Sequence, residues 1–156
     1  QRGPIDASHA DRVITQTGVA RSPEAVWREL EQIEQHVSWM RDAVAIRFVG
    51  PTRRGVGTKF DCDTKVGPIR LTDRMEIERW EENSIMSVSH RGAVSGSGQF
   101  TLVPQDDGST IVRWEERLTF PWWLGGGVGA LFARPIFTLL WRGNLSRLRK
   151  RIEDGS

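Results

Sequence analysis

At 156 residues the chain is long enough for one domain with its own core, and a single cysteine, Cys62, excludes an internal disulfide. With 22 basic and 20 acidic side chains the net charge is only +2. The basic residues gather at Arg147, Arg149, Lys150 and Arg151, where a solvated helix end accounts for them, so no nucleic-acid partner is expected.

Residues 1–11 are polar and without periodicity, as in a flexible tail. The chain starts at Gln1 without an initiator Met, which would fit loss of an upstream segment, and no signal peptide is recognisable in it; a cytoplasmic location is expected. Residues 12–19 alternate as a first strand, with Val13, Thr15, Thr17 and Val19 on one face. Ser22-Pro23 then supplies a helix cap and a proline at the first helical position, and Val26, Trp27, Leu30 and Ile33 give a short amphipathic helix. A second short helix or turn runs through His36, Trp39 and Met40 before strand character resumes over residues 43–49.

From Val56 onward strict alternation assigns faces. Phe60, Cys62, Thr64 and Val66 point inward, while Lys59, Asp61, Asp63 and Lys65 form a charged face expected in solvent. After a tight turn at Gly67-Pro68, Ile69, Leu71, Asp73, Met75 and Ile77 point inward, which sets the Asp73 carboxylate on an apolar face. Met86, Val88 and His90 follow on the next strand, then Val94, Gly96, Gly98, Phe100 and Leu102. Beyond the turn at residues 105–108, Val112, Trp114, Glu116, Leu118 and Phe120 complete the inner face.

The turns set registers. They place Cys62 opposite Asp73, Met75 opposite His90, Glu116 opposite Gly98, and His90 opposite Val94 or Gly96. Two inward glycines project no side chain, so His90 and Glu116 are expected to face one another across a bare strip that floors a cavity, with Asp73 on the diagonal.

Residues 124–152 carry apolar side chains at spacings of three and four, from Val128, Leu131, Phe132, Ile136 and Leu139 to Leu145, Leu148 and Ile152, which describes one long helix. Its glycine-rich opening is a poor helix former, and Pro135 marks a start or a kink. Residues 118–141 hold one charge, Arg134, over a length that would span a bilayer, but Pro121, Pro135 and the glycines break it up. Peripheral membrane contact through Trp122, Trp123 and Leu124 ranks ahead of a true span.

The order of one strand, two short helices, six antiparallel strands and a long C-terminal helix resembles the START-like helix-grip fold, an α+β architecture. A seven-stranded curved antiparallel sheet there wraps around the long helix. The chain is similar to the SRPBCC superfamily, in particular its polyketide cyclase/dehydrase and lipid-transport branch. Local matches are Ser22-Pro23-Glu24-Ala25-Val26-Trp27, His36-Val37-Ser38-Trp39-Met40 and Gly55-Val56-Gly57-Thr58, within a single ligand-binding domain over residues 12–153. The resemblance implies an apolar pocket between sheet and helix.

Three functions are open. The first is binding of a hydrophobic small molecule (lipid, isoprenoid or polyketide-like) by a carrier or sensor, in a pocket lined by Phe60, Cys62, Met75, Val88, Gly96, Gly98, Phe100, Trp114, Leu118, Phe132 and Ile136. Trp122 and Trp123 with Gly125, Gly126 and Gly127 would then form a gate. The second is a polyketide cyclase/dehydratase using His90, Glu116 and Asp73 as acid and base, although the chain has no Tyr. The third is a protein-binding module with a filled core. A metal on Cys62, Asp73 and His90 is set aside, as are cofactors, and a monomer or weak homodimer is expected.

Overall fold

A computed structural model describes residues 12–92, 94–119, 122 and 125–155. The expected tail, together with Phe120, Trp123 and Leu124, lies outside the described residues, as do the side chains of Val128 and Leu131. The strands are β1 (Arg12–Val19), β2 (Ala43–Val49), β3 (Lys59–Val66), β4 (Ile69–Glu81), β5 (Ile85–Arg91), β6 (Ser95–Pro104) and β7 (Thr110–Thr119). Helix α1 (Pro23–Leu30) and a 3-10 helix (Ile33–Ser38) separate β1 from β2, and helix α2 (Gly126–Asp154) ends the chain.

All seven strands form one antiparallel sheet in the order β1-β7-β6-β5-β4-β3-β2. Six consecutive strands, β2 to β7, are joined as a meander, and the two short helices carry the chain from one edge of the sheet to the other. Ser22 caps α1, its hydroxyl accepting from the Ala25 amide at 3.3 Å. The inner face of that helix, Val26, Trp27 and Leu30, is buried against the core.

Helix α2 is docked unevenly. Its C-terminal half buries Trp141, Leu145, Leu148 and Ile152, and the helix packs chiefly on β1. On the N-terminal half Phe132, Ile136 and Leu139 are 74%, 57% and 70% exposed. The regular apolar spacing therefore describes a real helix but not a face buried along its full length. The helix starts at Gly126, preceded by Gly125 in the left-handed region at φ 91°, and it continues through Pro135 instead of starting there.

Asn144 anchors the helix. Wholly buried, its amide donates to Asp42 Oδ1 at 2.7 Å and its oxygen accepts from the Arg41 amide at 3.1 Å and from Arg147. Arg147 Nε also donates to the Trp39 carbonyl at 3.1 Å, and the Asp42 carbonyl accepts from the Lys65 amide at 2.8 Å. Thus α2, the turn before β2 and the end of β3 share one polar joint.

Two details depart from strict alternation. Asp63, on the outer face, is buried: Arg47 binds both its oxygens at 2.8 and 2.9 Å and Thr72 donates at 2.7 Å, which holds the carboxyl well below the usual range. In β4 a bulge between Ile77 and Arg79 changes the parity, so Trp80 pairs with Met86 and meets Trp27 edge-on at 5.2 Å.

Replacing Asn144 with Ala strands several polar partners at once. Urea unfolding should show a loss of about 2–3 kcal/mol; a loss below about 1 kcal/mol would mean the joint does not hold the helix.

Candidate functional site

Because α2 leans on the β1 side, a gap opens between its N-terminal half and the inner faces of the remaining strands. The result is a cavity of about 440 Å³. The hairpin registers carry the expected side chains to its wall: Cys62 faces Asp73, Met75 faces His90, His90 faces Gly96, and Gly98 faces Glu116. Phe60, Cys62, Asp73, Met75, Val88, His90, Phe100, Trp114, Glu116, Leu118, Phe132 and Ile136 all line the space.

Gly96 and Gly98 do not. A Cβ on Gly98 would lie 2.3 Å from Glu116 Oε1, so the room above this glycine is already taken by the carboxylate. Gly96 answers a backbone demand: its φ is 149°, and a Cβ there would sit 1.8 Å from the Arg117 carbonyl oxygen. Gly92 repeats the first arrangement, since a Cβ on it would meet Asp73 Oδ1 at 2.0 Å. Gly92 and Gly98 thus each let a neighbouring carboxylate lie flat on the strand beside His90.

The polar cluster is close-knit. Glu116 is 5% exposed and accepts from the Trp114 indole N–H at 2.9 Å through Oε1. Its Oε2 stands 3.2 Å from His90 Nε2, yet neither atom is aligned for a hydrogen bond. Burial depresses the proton affinity of His90, but the charge and proximity of Glu116, with the Asp73 charge behind, outweigh it and leave the affinity raised. Burial drives the Cys62 thiol up to about 11, so it stays protonated and is a poor nucleophile.

His36 and Asp42 also reach the cavity and escaped the sequence reading as site residues. The His36 Nε2 lies 2.7 Å from the Leu30 carbonyl, which can only accept, so that nitrogen carries the proton. Burial lowers its affinity to about 4 and keeps the ring neutral. One signal for Asp42 was present: Asn144 is a polar residue among buried helix positions and needs a polar partner. Aromatic rings form the wall between these groups, with Phe100 and Trp114 5.0 Å apart, Trp114 and Trp141 5.3 Å, and Phe137 stacked on Trp141 at 5.0 Å.

Of the expected gate, Trp122 is 88% exposed and is not among the lining residues, Trp123 lies outside the described residues, and Gly125 to Gly127 make the start of α2. Among the described residues no cluster of His, Cys, Asp or Glu has the geometry to hold a metal ion, and no helix is long and apolar enough to cross a membrane.

A meander sheet gripping one long helix around an apolar cavity defines the helix-grip class of ligand-binding folds. The chain belongs to the polyketide cyclase/dehydrase and lipid transport family, whose model matches residues 11–153. Membership places it among proteins that bind or transform hydrophobic small molecules. No curated protein sequence matches it. Solved structures repeat the fold: a Thermus thermophilus protein is 16% identical with a TM-score of 0.74, covering 93% of this chain and 99% of its own. A Deinococcus radiodurans protein is 11% identical with a TM-score of 0.70, over 93% and 98%. The di-domain ARO/CYC StfQ of the steffimycin biosynthetic pathway is 15% identical with a TM-score of 0.68, over 92% of this chain and 45% of that one.

The two buried histidines should titrate in opposite directions. By NMR, His90 should show a midpoint above its ordinary 6.5 and His36 one near 4. His90 therefore lends stability that is complete below pH 6.5 and fades as pH rises through its folded value. His36 does the reverse: its neutral form contributes above pH 6.5, and up to about 3 kcal/mol is lost as pH falls to 4. Glu116→Gln should lower the His90 midpoint; an unchanged midpoint would show that Glu116 is not its electrostatic partner.

Proposed function

We propose that the protein binds a hydrophobic small molecule of lipid, isoprenoid or polyketide type between sheet and α2, as a carrier or sensor. The observation that carries this is the cavity itself. Its volume of about 440 Å³ falls within the range of small-molecule sites, and its wall is apolar and aromatic apart from a few buried polar groups. A protein-binding module with a filled core has no use for such a space.

The opening supports the same reading. Phe132 and Ile136 line the cavity and remain exposed to solvent, so the cavity is open along this part of α2. Leu139 extends the exposed apolar surface one turn further along α2, and exposed Arg142 lies near its edge. That combination suits shallow contact with an anionic lipid surface, from which an apolar ligand would enter without crossing water.

A second reading, cyclase/dehydratase, is favoured by one observation, the buried pairing of His90 with Glu116. In it Glu116 would take a proton from a carbon next to a ligand carbonyl, and protonated His90 would give its proton to the oxygen. Likeness to StfQ is a likeness of fold and does not decide between the two.

Native mass spectrometry of freshly purified protein should reveal a retained apolar molecule, and Val88→Trp, which fills the cavity from the sheet side, should remove it with the fold kept by circular dichroism. Retention in the Trp variant would place the ligand elsewhere. Phe132→Asp with Ile136→Asp should reduce co-sedimentation with phosphatidylglycerol vesicles at least fivefold; unchanged sedimentation would remove the membrane step. Glu116→Gln should alter affinity only modestly in a carrier and abolish turnover of a polyketide-type substrate in a cyclase.

A further inference from the structure

In a meander alternate turns share one end of the sheet, so the β3–β4 and β5–β6 turns lie together at the end where β7 gives way to α2. Val66 and Ile69 beside the first turn, Val94 beside the second, and Phe132 and Ile136 on α2 all line the cavity. Ile69 is 47% exposed, so the β3–β4 hairpin, like α2, carries an apolar side chain that meets the cavity and solvent at once. The turn itself is the exposed pair Gly67-Pro68, and Pro68 has no amide N–H to desolvate.

Charge around this opening is one-sided. Residues 64–72, 90–97 and 126–142 contain five basic side chains, Lys65, Arg70, Arg91, Arg134 and Arg142, and no Asp or Glu. All five are exposed. The carboxylates nearby are buried in the wall, as Asp73 and Glu116 are, or already held, Asp42 by Asn144 and Asp63 by Arg47 through both oxygens. Lys65 and Arg70 stand directly opposite one another across the hairpin, a like-charge pairing that weakens it. Arg70 reaches the occupied Asp63 carboxylate only at 4.0 Å. An anion resting on this pair turns the repulsion into attraction.

We infer that the tip of the β3–β4 hairpin is a second membrane-contact element. Pro68 and Ile69 enter the head-group layer of an anionic bilayer and Lys65 and Arg70 meet lipid phosphates, while α2 presents Phe132 and Ile136 from the other side of the opening. The inference rests on the ligand entry from a lipid surface proposed above, and it adds to that route a site, a lipid charge and an orientation. An apolar opening with a basic rim suits an anionic bilayer; a second copy of this chain would bring the same charge to the same place.

The test is co-sedimentation of the full chain, at low ionic strength, with vesicles of phosphatidylcholine alone or mixed with phosphatidylglycerol. The mixed vesicles should be bound about tenfold more tightly. Lys65→Ser with Arg70→Ser should weaken that binding about tenfold, and Ile69→Asp at least fivefold. Arg149→Ser with Lys150→Ser removes two exposed charges near the far end of α2 and should change it less than twofold. Equal losses in the two double variants would show attraction to net charge alone and overturn the inference. Hairpin variants that bind like the wild type, while Phe132→Asp with Ile136→Asp does not, overturn it and leave α2 as the membrane contact. Absence of wild-type binding to either vesicle overturns it together with the membrane step, and leaves ligand binding in the cavity standing. Equal wild-type binding to the two lipids overturns it without recourse to any variant. A dimer in sedimentation velocity that Ile69→Asp dissociates overturns it in favour of a second copy.

Discussion

Everything in this structure depends on where α2 is fastened. Asn144, Asp42 and Arg147 pin the C-terminal half of the helix to the turn before β2, and Leu145, Leu148 and Ile152 seat it on the sheet. Among the described residues no comparable joint holds the half that begins at Gly126. A helix held at one end over a curved sheet encloses a wedge, and the cavity is that wedge. Burying the whole apolar stripe would stabilise the chain further by the hydrophobic effect, so the exposure of Phe132, Ile136 and Leu139 is what the open space costs.

The polar end of the cavity is built on paired strands of the sheet. His90, Asp73 and Glu116 come from three different interior strands; ladders on both sides hold the backbones of His90 and Glu116, and Asp73 is paired with Cys62. Side chains carried on paired strands lose little freedom when a ligand arrives. The opposite wall, on α2, is one exposed helix face whose side chains lack such support.

Much of this was legible in the sequence because hairpins are local. The turn at Gly67-Pro68 was enough to oppose Cys62 with Asp73, and the later turns opposed Met75 with His90 and Glu116 with Gly98. What failed to show was whatever depends on a third partner. Alternation concealed the bulge that turns Trp80 inward, because one inserted residue leaves no mark on composition. Asp63 looked like a solvent charge until Arg47 on the neighbouring strand closed over it. Helical periodicity gave the apolar face of α2 but not the distance of that face from the sheet. An inward glycine, likewise, reads the same whether it faces a void or lies beneath a long side chain, which is why Gly98 was expected at the cavity surface.

The two glycines under the carboxylates have a consequence for how such a pocket changes over generations. Asp73 rests on Gly92 and Glu116 on Gly98, each too close for even one added carbon. An alanine at either position would push a charge to a new place without altering the cavity's inventory of residues. Ligand preference can therefore drift through substitutions at positions that touch no ligand, and two descendants with identical pocket residues need not recognise the same molecule.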